Sequence, residues 1–210
     1  MKLSEYRKVI GFFFLMVMIL SGCASSSPVT TNAPQNVSQT AGKKKPFPVL
    51  ELPIPQNVAY KNYLGISGWG RFKITQIKSP VIIIGVFSAD CPHCRNTAPK
   101  LNELYEAIQA RPDLKEKIKI IGILDSYANE VDLFRERYKL FFPLFPEQGN
   151  IIDQTLDVNY LPKIFGIKNN DDGTMDEFYR KTGEFWFWNA DRFLEKIITL
   201  SQLETGGNNQ

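Results

Sequence analysis

Two of the three cysteines in this 210-residue chain and its single histidine fall within four positions, Cys91-Pro92-His93-Cys94. Side chains of these types at this spacing support four chemistries: a dithiol-disulfide couple, half of a metal site, a truncated haem-attachment motif, or an inert staple. Zinc draws on about four Cys, His or carboxylate ligands, and one loop with two cysteines and a histidine falls short. Covalent haem attachment needs a histidine directly after the second cysteine, where this chain has Arg95. A disulfide closing so small a loop gains little from chain entropy, which weakens the staple. The redox couple best fits the residues present.

Such a couple needs one sulfur that is a good thiolate and another that can close on it. The unpaired N–H groups and positive dipole end of a helix N-terminus favour a thiolate. Residues 81–87, VIIIGVF, form a continuous β-branched run, which predicts a strand buried on both faces. After a short loop, Ala98, Leu101, Leu104, Tyr105 and Ile108 recur at helical steps, predicting a helix over about 91–110 with Pro99 inside it. Cys91 is then the nucleophile at the helix start, and Cys94, one turn inward, the resolving thiol. His93 can donate to the thiolate or add positive charge that favours the reduced form; the alternative is a solvent-facing residue without a role. Pro92 stands in the first turn, where its missing N–H costs nothing. Asp90 either takes up a proton or caps the helix, and its charge opposes the thiolate.

The remaining elements must hold this loop. Residues 117–124, KIKIIGIL, predict a second buried strand, so strand, helix and strand form a right-handed parallel crossover. A helix is expected over 129–140, and FFPLFPEQG is too proline-rich for regular structure. A helical turn is expected over 153–160, a strand over 163–167 directly after Pro162, a turn at 169–173 and an antiparallel strand over 175–180. An amphipathic helix over 189–203 closes the fold, and RFKITQI (71–77) alternates like an edge strand. The quartet Phe185-Trp186-Phe187-Trp188 fits packing against the last helix or a partner surface. Residues 47–203 suffice for one domain with a sizeable core.

The ends of the chain bear on where the chemistry would occur. A formal net charge of +3 gives no reason to expect nucleic acid binding. Lys2, Arg7 and Lys8 precede an apolar run at 9–20, too short to span a bilayer but suited to a signal peptide over 1–22. Leu20-Ser21-Gly22-Cys23 resembles the lipobox of bacterial lipoproteins, and the resemblance implies lipid attachment at Cys23 and anchoring in the cell envelope, facing the periplasm or extracytoplasmic space. Residues 23–46 lack the apolar mass to repay ordering entropy and are expected as a flexible tether; residues 204–210 are expected as a disordered tail.

The stretch VIIIGVFSADCPHCRNTAPKLNELY resembles the first strand and helix of thioredoxin-fold proteins, with Leu161-Pro162 where that fold places its cis-proline. The Pro92-His93 spacer is similar to that of DsbA-type oxidants. Cys94-Arg95 with Pro99, the anchor and the long 125–160 connection are more similar to the TlpA/ResA-like and peroxiredoxin-like membrane-tethered branch. The resemblance implies an α/β, thioredoxin-like three-layer fold with a central mixed sheet flanked by helices. It implies that Cys91 attacks and Cys94 resolves, and that a cis Pro162 aligns a bound peptide and keeps metal off the thiols. Three positions depart from the pattern. Asp90 replaces the usual aromatic residue, Gly85 stands where many relatives bury a carboxylate, and Thr97 replaces the glutamate of the tethered reductases.

The function expected is a lipid-anchored, monomeric thiol-disulfide oxidoreductase whose only redox group is the Cys91-Cys94 pair, without cofactor or metal. Its partners would be protein thiols or disulfides, a further redox protein, and the membrane through Cys23. The alternatives are a non-catalytic binding module on the same fold and an atypical thiol peroxidase. Ser88 and Cys91 have peroxidatic Ser-x-x-Cys spacing, but the proline expected upstream is Ile84.

Overall fold

The computed structural model describes residues 45–147 and 151–205. The expected signal peptide, the Cys23 attachment site, most of the tether and the end of the tail lie outside the described residues. Lys45 and Pro46, expected at the end of the tether, form strand β1 (Lys45–Pro46) instead.

Hydrophobic β-branched runs build the centre. Strands β4 (Val81–Ser88) and β5 (Ile118–Asp125) pair in parallel from Val81 opposite Ile118 to Ser88 opposite Asp125. They are joined by helix α2 (Pro92–Gln109), which continues through Pro99. Strand β6 (Leu144–Glu147) lies parallel to β5, while β7 (Lys163–Asn169) runs antiparallel to β4 and β8 (Met175–Thr182) antiparallel to β7. The six-stranded order is β1-β8-β7-β4-β5-β6, a mixed sheet.

Alternation along β4 divides the core. Val81, Ile83 and Phe87 pack with Leu101, Leu104 and Ile108 of α2 and with helices α3 (Ala128–Tyr138) and α5 (Ala190–Ser201). Ile82, Ile84 and Val86 pack on the other face with Leu64 of α1 (Val58–Leu64), Leu156 of α4 (Ile151–Leu156), and Phe72 and Ile74. Three layers result, with the sheet in the middle.

Further elements differ from the sequence reading or were absent from it. The segment 141–149 contains β6: an edge strand needs partners on one side only, which tolerates Pro146, and the carbonyl of Pro143 still accepts from the Gly122 N–H at 2.8 Å. The stretch 71–77 does not edge the main sheet. Its first part, β3 (Arg71–Lys73), pairs with β2 (Glu51–Pro53) in a separate ribbon, and a 3-10 turn follows over Ile74–Gln76. The turn prevails because Ile74 and Ile77, three apart, are both buried, and the Gln76 side chain accepts from the Lys73 N–H at 2.8 Å. Helix α1 was not anticipated, although Asn57 caps its start by accepting from the Ala59 N–H at 2.8 Å and Gly65 ends it at φ 67°. Its Tyr63 hydroxyl accepts the Ile120 N–H at 2.7 Å, tying α1 to β5.

Candidate functional site

Strand β4 delivers the chain to the redox loop at Ser88, and α2 carries it away. Cys91 is the N-cap of α2, with extended backbone at φ −81° and ψ 113°, and Pro92 occupies the first helical position. Cys91 Sγ accepts the Cys94 N–H at 3.3 Å, one of the orphan donors of the helix start. Such a bond stabilises the sulfur most when it is anionic. Arg95 Nε donates to the Ala89 carbonyl at 3.1 Å and fixes the loop in front of the helix. Asp90 lies exposed in that loop; because Cys91 takes the cap, the capping role open to Asp90 is not realised.

The two thiols are free and differ in environment. Cys91 is partly exposed, whereas Cys94 is fully buried against Phe87, Ala98 and Leu101. Burial, and secondarily its hydrogen bond to Cys91, pushes the Cys94 thiol well above the usual thiol range. Cys94 is therefore held as the neutral thiol and Cys91 is the sulfur open to a partner. Opposite, the Leu161-Pro162 peptide is cis, and the Leu161 carbonyl accepts from Cys91 Sγ at 3.7 Å. Cys91 thus touches the residue that precedes Pro162, 70 positions away in the chain.

His93 is paired with a carboxylate from a distant part of the chain. Its Nδ1 lies 3.0 Å from Oε2 of Glu184, which also accepts from Asn96 Nδ2 at 3.3 Å, while Glu184 Oε1 accepts from Lys100 Nζ at 3.3 Å. These partners, His93 first, hold the Glu184 carboxyl below its ordinary range. Lys100 Nζ donates further to the Phe185 carbonyl at 2.6 Å, and the Gly183 N–H donates to the Pro162 carbonyl at 2.8 Å. The loop after β8 is therefore tied both to the cis-proline and to the first three turns of α2. Sequence reasoning missed Glu184, which lies 91 positions from His93; only the aromatic quartet beside it signalled the loop.

That quartet is divided. Phe185 and Trp188 pack on Phe193 of α5 at ring-centroid distances of 5.2 and 5.3 Å, and Trp188 Nε1 donates to Glu103 at 2.7 Å. Trp186 and Phe187 stand in solvent, Trp186 largely and Phe187 fully exposed. Packing against the last helix thus describes Phe185 and Trp188, while Trp186 and Phe187 stand outside that packing.

The departures at positions 85 and 97 have structural counterparts. A Cβ on Gly85 would meet Phe87 at 2.6 and 2.7 Å and Leu101 at 2.8 Å, so apolar side chains fill the space a carboxylate would need. Thr97, one turn beyond Cys94, is fully buried, and its hydroxyl has no hydrogen-bond partner among the described residues. Among the described residues, no group of three or more His, Cys, Asp or Glu side chains is placed to hold a metal ion.

Fold and site together define a thioredoxin-like domain with a dithiol at a helix start facing a cis-proline. Residues 79–172 match the family model described as Thioredoxin-like. Among solved structures, the chain is similar to a Chlorobium tepidum protein assigned provisionally as the thiol:disulfide interchange protein DsbE. The two are 17% identical with a TM-score of 0.56, over 77% of this chain and 99% of that one. A thiol:disulfide interchange protein of the thioredoxin family from Chlorobium tepidum TLS is 14% identical, with a TM-score of 0.53 over 76% and 97% of the two chains. A secreted thiol-disulfide isomerase from Corynebacterium glutamicum is 14% identical, with a TM-score of 0.53 over 76% and 87%. No curated protein matches the chain in sequence. At these identities the likeness establishes the thioredoxin-like fold.

Proposed function

We propose that this chain is a thiol-disulfide oxidoreductase that exchanges electrons with protein cysteines through Cys91 and Cys94. The observation that carries the reading is the division of labour between the sulfurs: Cys91 partly exposed at the helix cap, Cys94 buried one turn behind it and hydrogen-bonded to it. In the reducing direction, the Cys91 thiolate attacks one sulfur of a client disulfide, forming a mixed disulfide and releasing the other client sulfur as a thiolate. The Cys94 sulfur then attacks Cys91, its proton leaves to the departing client thiolate or to water, and a Cys91-Cys94 disulfide remains. The client gains two electrons and the protein loses two; oxidation of a client dithiol is the reverse sequence.

Because space at position 85 is closed and position 97 is a threonine, the proton of Cys94 has no buried carboxylate acceptor at either place. A Cys94→Ala variant retains the attacking sulfur and lacks the resolving one. It should accumulate disulfide-linked client proteins, separable under non-reducing conditions and absent when Cys91→Ser is added. An empty trap would overturn the reading.

The finer placement rests on the sequence. The Leu20-Ser21-Gly22-Cys23 stretch supports lipid attachment at Cys23 and an extracytoplasmic site of action in a bacterial envelope, where a second redox protein would restore the dithiol or disulfide. No helix among the described residues is long and apolar enough to cross a membrane.

A further inference from the structure

The loop between β8 and α5 holds two large aromatic side chains out of the core. On one side Gly183 is bonded to the Pro162 carbonyl and Glu184 to His93, Asn96 and Lys100. On the other, Trp188 is locked against Phe185 and Phe193 and bonded to Glu103. Trp186 and Phe187 lie between these anchors and are exposed. Their exposure is thus set within a stretch of loop fixed on both sides.

Their position is tied to the reactive sulfur. The Trp186 ring meets the His93 ring edge-on, with centroids 6.4 Å apart, and His93 is two residues from Cys91. Across the sulfur, Tyr160 is 74% exposed and adjoins Leu161, whose carbonyl touches Cys91 Sγ. Exposed aromatics therefore stand on the elements flanking the place where a client sulfur must arrive. A client cysteine bonded to Cys91 carries its neighbouring residues past these elements, since an extended chain advances about 3.3 Å per residue. Side chains two or three positions from that cysteine come within reach of Trp186 and Phe187. A rigidly held aromatic pair favours an apolar neighbour at low entropic cost.

We infer that Trp186 and Phe187 form a client-selection surface for extended polypeptide segments carrying aliphatic or aromatic side chains within two or three residues of the reacting cysteine. The inference rests on the thiol-disulfide reading above. It assigns a client class: segments of proteins that are still unfolded or locally open, in which apolar residues next to a cysteine are accessible.

The experiment uses the reduced full-length chain with Cys23→Ser, which leaves Cys91 and Cys94 as the only thiols, and three disulfides of thionitrobenzoate: one with a peptide bearing Leu two residues to either side of its cysteine, one with Ser at those places, and the symmetrical small reagent. Attack by Cys91 on the peptide sulfur, or on either sulfur of the small reagent, releases thionitrobenzoate, whose colour gives the rate. This parent chain should react about tenfold faster with the Leu peptide than with the Ser peptide, the scale expected for one buried aromatic contact. A double variant of it, Trp186→Ser with Phe187→Ser, should bring that ratio close to one while reacting with the small reagent at the parent rate. Equal rates with both peptides in the parent chain, alongside normal reaction with the small reagent, would overturn the inference. Inertness toward the small reagent as well would overturn the redox reading beneath it. If the ratio is one and the double variant instead loses co-sedimentation with phosphatidylglycerol vesicles, the surface belongs to a membrane and the inference fails.

Discussion

Gly85 can be tested by filling its space. It lies at the centre of β4, opposite Gly122 of β5, and faces α2. A methyl carbon there would stand 2.6, 2.7 and 2.8 Å from two Phe87 ring atoms and Leu101 Cδ1. Carbon atoms prefer roughly 3.5–4.0 Å, so three contacts are each too short by most of an ångström. Phe87 and Leu101 are both fully buried, and neither has an open direction in which to retreat. Overpacking of this kind costs about 1–3 kcal/mol. For a domain of this size that lowers Tm by roughly 2–12 °C. Gly85→Ala, followed by thermal unfolding of the reduced protein, should show such a loss. Adding Phe87→Leu, which removes the two nearest ring atoms, should return part of it, so that the double variant is more stable than the sum of the single losses. Gly85→Asp should be worse than Gly85→Ala, and increasingly so at higher pH. An apolar surrounding raises a carboxyl pKa above its unfolded value, so its relative stability is best below that value and falls as pH rises and the folded acid resists ionisation. A Gly85→Ala protein as stable as wild type, or strict additivity with Phe87→Leu, would refute the reasoning and reopen position 85 as a site for a buried proton acceptor.

Two other perturbations probe the scaffold around the site. Tyr63→Phe removes the acceptor of the Ile120 N–H and leaves a buried donor in β5 unpaired, which should cost about 1–3 kcal/mol, measurable by urea unfolding with an unchanged m-value. Glu184 is held below its ordinary range chiefly by His93, so its contribution is present above the unfolded value of about 4.3 and is lost as pH falls through the folded one. Glu184→Gln should therefore be less stable than wild type at neutral pH, and the Tm difference should close below about pH 4; a pH-independent difference would contradict the charge argument.

The core of this arrangement was legible because its signals are local. β4 and β5 are continuous β-branched runs, α2 has a regular apolar period, and Cys-Pro-His-Cys sits at their junction. Pro162 was placed opposite Cys91 by resemblance, and the Leu161 carbonyl lies against the sulfur. What escaped the sequence depends on partners distant in the chain. β6 is a strand because β5 offers it an edge, whatever Pro143 and Pro146 suggest locally. The alternation of 71–77 was overruled by burial of Ile74 and Ile77 on one side of a turn. His93 was read against the sulfurs that are its neighbours in sequence, while its actual partner, Glu184, arrives from the far end of β8.

The sheet's two ends bear on the proposed exchange with client chains. Among the described residues both outermost strands are short, and each contains a proline: Pro46 in the two-residue β1 and Pro146 in the four-residue β6. A proline offers no N–H to an arriving strand, and a short outer strand gives it little length to copy. Under the proposed function, clients with unpaired thiols would bring half-made strands that readily extend an open sheet. Blunt margins discourage that recruitment, so that contact with a client can be confined to the sulfur and the aromatic pair beside it and end when the disulfide is exchanged.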